Sequence, residues 1–157
     1  MNQIKGDLIA TNLKIAFVVS RFNEFVCERL LDGALDSFSR LGGSDDDVTL
    51  LRVPGAFELP LAAKKLAESG KFDAIVCLGA VIRGETSHYD YVCANASSGI
   101  ASTSLETGVP VSFGLLTTET VEQAIERSGS KAGNQGRHAT ECAIEMARLI
   151  ENVSQAQ

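Results

Sequence analysis

Between Gly79 and Asp90 the chain reads G-A-V-I-R-G-E-T-S-H-Y-D, directly after the apolar run Ala74 to Leu78. A run composed like a buried strand that opens into glycines, an acid, two hydroxyls and an imidazole supplies groups suited to acid–base and binding chemistry. The chain has only two histidines. One of them, His88, falls where a helix would begin, just past the C-terminal end of a strand. In an open parallel sheet that edge is where ligands bind.

The other strand ends carry matching residues. Arg21, Phe22 and Asn23 follow the run Lys14 to Ser20; Gly55, Ala56, Phe57 and Glu58 follow Val48 to Val53; and Phe113 lies in the run Val109 to Leu116. Phe beside small or polar residues suits a flat aromatic ligand, since an offset-stacked ring contributes ~0.5–1.5 kcal/mol beyond its area burial. Glu58 and the backbone around Ala80, Val81 and Ile82 would then read the edge of the ring by hydrogen bonds. Each residue also has a plainer reading. A Phe at a strand end is often core, Glu58 favours a helix N-terminus, His88 suits a solvated first turn, and Arg83 suits a surface charge. Gathered on one inferred edge, these residues point to a pocket for a small, aromatic and anionic ligand.

The elements that must position them alternate along the chain. Lys14 to Ser20 is dense in β-branched and aromatic residues, as a strand buried on both faces should be. From Asn23, an N-cap candidate, apolar residues recur at helical spacing through Cys27, Leu30, Leu31, Ala34, Leu35, Phe38 and Leu41, before Gly42-Gly43 ends the helix. The pattern then predicts a strand over Val48 to Val53, a helix over Ala56 to Ser69 with Pro60 in its first turn, and a strand over Ala74 to Leu78. A third helix is expected over Ser87 to Thr107, with Ser87 and Asp90 in capping-box spacing. Val109 to Leu116 reads as the fourth strand, Thr117 and Thr118 as N-cap candidates for a helix ending at Arg127, and Asn134 to Asn152 as the last helix. Such alternation implies right-handed βαβ units in an α/β/α three-layer sandwich around a four-stranded, parallel, flavodoxin-like sheet. Residues 1–157 read as a single domain, with 1–13 an N-terminal arm whose Leu8 to Ala10 could form a short edge strand, in this chain or against a neighbouring subunit.

At 157 residues and 45% hydrophobic content the chain is large enough to bury a real core. A formal net charge of −6 leaves no basic stripe for a phosphate backbone, which argues against nucleic acid as a partner. Met1 to Asp7 lacks the apolar core of a signal peptide, and no apolar run reaches the ~18 residues of a membrane helix, so the expected location is the cytoplasm. Cys27, Cys77, Cys93 and Cys142 form no C-x-x-C pair and read as reduced core thiols, with no metal site in their spacing.

The strings R-F-N at Arg21 to Asn23, V-P-G-A-F-E at Val53 to Glu58, G-A-V-I-R-G-E-T-S-H-Y-D at Gly79 to Asp90 and Q-A-I-E-R-S-G-S-K-A-G-N at Gln123 to Asn134 resemble, in order, the 6,7-dimethyl-8-ribityllumazine synthase family. The resemblance runs from about Lys14 to Met146. It implies a transferase of riboflavin biosynthesis that joins 5-amino-6-(D-ribitylamino)uracil to 3,4-dihydroxy-2-butanone 4-phosphate with loss of phosphate and water. Phe22 would stack on the pyrimidine, and Ala56, Phe57, Glu58, Ala80, Val81 and Ile82 would hold it and its ribityl chain. Glu85 and Thr86 would meet the butanone phosphate, with Asn23 and Lys131 in support. In the family, Phe113 and Arg127 reach the site from the adjacent subunit, Arg127 binding phosphate through its planar guanidinium.

The implied mechanism needs no metal and no nucleotide or redox cofactor. His88 is its natural proton carrier, because an imidazole titrates near neutrality, while much of the acceleration comes from holding two reactive substrates together. Family members form homopentamers, some of which close into icosahedral shells; the short break from Ser128 to Gly133 leans toward shells, and riboflavin synthase is a further candidate partner. One departure stands out, Gln135 where the family commonly has Lys; Lys131 and Arg127 could suffice, or Arg137 could compensate. Two other readings remain, an archaeal-type riboflavin synthase and a non-catalytic flavin-binding or shell protein.

Overall fold

The computed structural model of the chain describes residues 1–156; Gln157, the last residue of the expected domain, lies outside them. Strands β1 (Ile15–Ser20), β2 (Val48–Val53), β3 (Ala74–Ile82) and β4 (Val111–Thr118) form one sheet in the order β2-β1-β3-β4. Every neighbouring pair is parallel. The order reverses direction between β1 and β3, which puts the switch point of the sheet there. Helices α1 (Glu24–Arg40), α2 (Leu59–Glu68), α3 (His88–Thr107), α4 (Val121–Arg127) and α5 (Gln135–Gln155) complete the sandwich.

Strand alternation divides the core in two. Ile15, Phe17 and Val19 of β1, with Ala74, Val76 and Leu78 of β3, pack against the apolar stripes of α1 and α5. Ala16 and Val18, with Ile75 and Cys77, pack against α2 and α3. All six β1 residues are buried, which is why β1 reads as continuous apolar sequence. Phe17 meets Phe38 of α1 edge to face, with centroids 6.3 Å apart.

Several boundaries differ from the sequence reading. β3 runs past Leu78 to Ile82 because Gly79 to Ile82 pair with Leu115 to Thr118 of β4. β4 correspondingly begins at Val111, since Ser104 Oγ of α3 holds the Val109 carbonyl at 3.1 Å. Thr117 and Thr118 therefore end a strand, and the cap of α4 is Thr120, whose side chain accepts from the Gln123 N–H at 3.1 Å. Ala56–Glu58 forms a 3-10 turn, so α2 starts at Leu59 with Pro60 in its first turn as expected. The capping box at Ser87 does not form: Ser87 makes no side-chain cap, and the Asp90 carboxylate pairs with Arg83 instead. A hairpin of β5 (Ser128–Ser130) and β6 (Gly133–Asn134) fills what the sequence showed as a break before α5.

Residues 8–10 form no strand within this chain. Side chains of α5 hold the arm instead: Arg148 donates to the carbonyls of Ile9 at 2.9 Å and Thr11 at 2.6 Å, and Asn152 to that of Lys5 at 2.7 Å. The cysteines also divide. Cys27 and Cys77 are buried, Cys93 is half-buried and Cys142 is exposed, because α5 turns Ala139 and Ala143 inward and Cys142 out. Burial pushes the Cys77 thiol up to about 12. No helix among the described residues is long and apolar enough to cross a membrane.

The crossing of α1 and α5 depends on Gly136, where a Cβ would overlap the Leu30 backbone carbonyl. A neighbouring bond fixes the same approach, Asn134 Nδ2 donating to the Arg29 carbonyl at 2.9 Å. Overpacking of this kind costs about 1–3 kcal/mol, so Gly136→Ala should lower Tm by roughly 2–12 °C. An unchanged melting temperature by calorimetry would show that the helices separate without cost.

Candidate active site

β3 is longer than its neighbour β1, and the site is built on that difference. The last β1–β3 pair is Val19 with Leu78, whereas β3 stays paired with β4 as far as Ile82 opposite Thr118. From Gly79 onward, β3 has an edge that β1 does not cover. At Gly79 a Cβ would stand 2.7 Å from Ser20 Oγ and 2.8 Å from Leu115 Cδ1, so a side chain there would require both neighbours to shift.

The first turn of α1 takes over where β1 stops. Asn23 has a left-handed backbone, φ 60°, and makes no cap bond with its side chain. Its Nδ2 reaches across to donate to the Ala80 carbonyl at 2.8 Å. Cys27 Sγ donates to the Phe22 carbonyl at 3.3 Å. Burial raises the thiol pKa of Cys27, which keeps it a neutral donor. By strand alternation the peptide groups of Ile82 turn to the same side as those of Ala80, with no β1 partner to take them.

This edge is the floor of an open cleft of about 730 Å³. Phe22 and Asn23 wall it at the end of β1, and Pro54, Gly55, Ala56, Phe57 and Glu58 at the end of β2. Ala80, Val81 and Ile82 form the floor, and Gly84, Thr86, His88, Tyr89 and Val92 close the α3 side. The Phe22 N–H donates to the Pro54 carbonyl at 3.1 Å, tying the β1 and β2 ends together. Arg52 of β2 and Glu28 of α1 form a two-point ion pair that lowers the Glu28 pKa and braces the same two elements.

Exposure decides between the two readings of the phenylalanines. Phe22 is 72% and Phe57 56% exposed, so neither is core. Asn95 of α3 holds the Phe57 carbonyl at 3.1 Å. Aromatic faces, a free peptide edge and the Glu58 carboxylate suit a planar heterocycle with donors and acceptors on its rim. His88, the first residue of α3, brings an imidazole to the same cleft.

Four of the residues to which the family resemblance gives a role do not line this cleft. Phe113 is the third residue of β4, opposite Cys77, and lies well before the C-terminal edge because β4 runs on to Thr118. It lies on an outer face with Gln135, His138 and Met146 and is 39% exposed. Arg127, in the last turn of α4, donates to the Gln123 carbonyl at 3.1 Å. Glu85 and Lys131 are exposed in loops. Conversely, Pro54, Tyr89 and Val92 line the cleft without having been singled out. Val92 stands four residues after His88, on the same helix face, and that spacing was the available signal.

Asn23 combines a left-handed backbone with a bond to the cleft floor. Asn23→Gly loses only the bond, whereas Asn23→Ala also meets the left-handed penalty of roughly 1–2 kcal/mol. Denaturant melts should rank the proteins Asn23, then Gly, then Ala; an alanine variant as stable as the glycine variant would contradict the backbone geometry.

Comparison with known proteins agrees with this geometry. A family model described as 6,7-dimethyl-8-ribityllumazine synthase matches residues 12–151. A protein of Syntrophus aciditrophicus (strain SB) named 6,7-dimethyl-8-ribityllumazine synthase is 59% identical over 149 residues, covering 95% of this chain and 97% of its own. With the parallel sheet, the cleft at its switch point and a match across nearly the whole chain, this protein belongs to the 6,7-dimethyl-8-ribityllumazine synthase family.

Proposed function

We propose that this chain is a transferase of riboflavin biosynthesis that condenses 5-amino-6-(D-ribitylamino)uracil with 3,4-dihydroxy-2-butanone 4-phosphate, releasing phosphate and water. The observation that carries the reading is the cleft itself, which in a chain of this family gathers Phe22, Glu58, the Ala80–Ile82 edge, Thr86 and His88. Phe22 stacks on the pyrimidine. Ala56, Phe57, Glu58 and the peptide groups of Ala80, Val81 and Ile82 hold its polar edge and the ribityl chain. Glu85 and Thr86 meet the butanone phosphate from the loop before α3, supported by Asn23 and Lys131.

The chemistry follows from the substrates. The 5-amino group attacks the ketone and water leaves to give an imine; phosphate departs by elimination; the ribityl-bearing nitrogen then closes the second ring with loss of a further water. His88 accepts and returns protons along this sequence, and fixing the two substrates together lowers the entropic barrier. Phe113 and Arg127 serve the cleft of a neighbouring copy, Arg127 binding phosphate. Their exposure away from the cleft of their own chain supports this reading. The chain, one domain with an N-terminal arm over residues 1–13, assembles as a pentamer, and pentamers close into a shell; riboflavin synthase, which consumes the product, is the partner we assign, in the cytoplasm.

Incubating the pure protein with both substrates should produce lumazine fluorescence. Riboflavin formed from lumazine alone would instead identify a dismutating synthase, and an inert protein a binding or shell role. Arg127→Ala should weaken the phosphorylated substrate by the ~1.5–3 kcal/mol of a hydrogen bond to a charged group, roughly 10- to 150-fold in Michaelis constant. The uracil should be little affected; an unaltered constant for the phosphate would move its binding to another cation, Lys131 first. His88→Ala should slow turnover by about 10²-fold, the lower end of general acid–base effects, with both Michaelis constants nearly retained, and unchanged turnover would remove His88 from the chemistry.

A further inference from the structure

Between the end of β3 and the start of α3, the backbone N–H groups of Gly84, Glu85 and Thr86 find no partner among the described residues. Ser87 offers no side-chain cap, and the His88 N–H has only a long contact, 3.4 Å, to Thr86 Oγ1. His88 thus sits at the start of a helix that has no cap of its own, after a loop with little to hold it.

One side chain spans this gap. Arg83 leaves β3 with its N–H bonded to the Thr118 carbonyl at 2.9 Å. Its Nε donates to Glu119 Oε2 at 2.7 Å in the β4–α4 turn, and its Nη2 to Asp90 Oδ1 at 3.1 Å in the first turn of α3. The guanidinium also lies over the Tyr89 ring, 4.2 Å from its centroid. Both residues that follow His88 are therefore held by Arg83, and Tyr89 is itself a wall of the cleft.

Arg83 does not line the cleft, and its charge faces two carboxylates, so it has little left for a substrate phosphate. Nor is it chiefly a stabiliser of the fold. Its side chain is 37% exposed and its partners are 60% and 59% exposed, and exposed ion pairs add little to global stability. What it supplies is geometry: a planar fork joining two elements at once, which the point charge of Lys does not reproduce.

We infer that Arg83 is a positioning residue, which sets the Thr86–Tyr89 wall and through it the imidazole of His88. The inference rests on His88 carrying protons in the reaction proposed above. Kinetics on the full chain test it with Arg83→Ala, Arg83→Lys, the pair Asp90→Asn/Glu119→Gln, His88→Ala and the Arg83→Ala/His88→Ala double variant. Arg83→Ala should lower kcat about 10-fold, with the uracil Michaelis constant and the Tm close to those of the parent. Arg83→Lys should recover only part of the loss. The carboxylate pair variant, which keeps Arg83 but reduces its two charge-assisted bonds to weaker neutral-acceptor ones, should reproduce part of the loss.

In the His88→Ala background, Arg83→Ala should slow turnover less than twofold further, because no imidazole is left to position. An equal 10-fold loss there, full activity in Arg83→Lys, or full activity in the carboxylate pair variant would each overturn the inference. A second readout is independent of turnover: glutamyl endopeptidase should cut after Glu85 several-fold faster in Arg83→Ala than in the parent, and an unchanged rate would also overturn it. Should the parent form no lumazine while Glu85 cleavage responds as expected, the reaction assignment fails and the loop-holding role stands.

Discussion

The site depends on one mismatch of length. β1 ends at Ser20 while β3 continues to Ile82, supported on its other side by β4. Unpaired peptide groups in the middle of a sheet carry a desolvation cost of a few kcal/mol unless they find partners. Two arrangements meet that demand here. The Ala80 carbonyl is taken by Asn23, the residue that caps α1, and the peptide groups of Ile82 open onto the cleft. The polar edge that α1 leaves uncovered is what a ligand can use.

α1 therefore has two duties. Its inner stripe fills the core against β1, β3 and α5, and its first turn shapes the cleft floor. The close approach at Gly136, the Asn134 bond to Arg29 and the Glu28–Arg52 pair all fix the placement of this helix. The opposite wall is made differently. There the loop before α3 has few backbone bonds, and the ion pairs of Arg83 tie it to the first turn of α3, where Tyr89 and Val92 pack against the core. Packing places the helices on both sides of the cleft, and charge is added only at the loop.

The sheet was legible because parallel strands buried on both faces leave unbroken apolar runs, as in Ile15–Ser20. The helices showed through their stripes and the glycines that end them. Long-range register did not show. Gly79 looks like the end of a strand by local propensity, but pairing with Leu115 carries β3 on to Ile82. Asn23 carried the right signal for a helix start and the wrong partner, since its left-handed φ turns the amide toward Ala80. Asp90 had capping-box spacing, yet a guanidinium lies in reach and competes successfully. Most of the cleft lining was readable from residue types at strand ends. Tyr89 was not, because an aromatic in a first helical turn looks like ordinary packing.

A floor made of main chain has a consequence for drift and escape. Substitution changes side chains, but every residue other than proline keeps the same N–H and C=O. A compound that takes most of its affinity from the Ile82 peptide edge contacts atoms that point mutation does not remove. Changes at Ala80 are restricted as well, since its side chain is 2% exposed and packed into the core. Inhibitors anchored there should be harder to evade than inhibitors anchored on the exposed ring of Phe22.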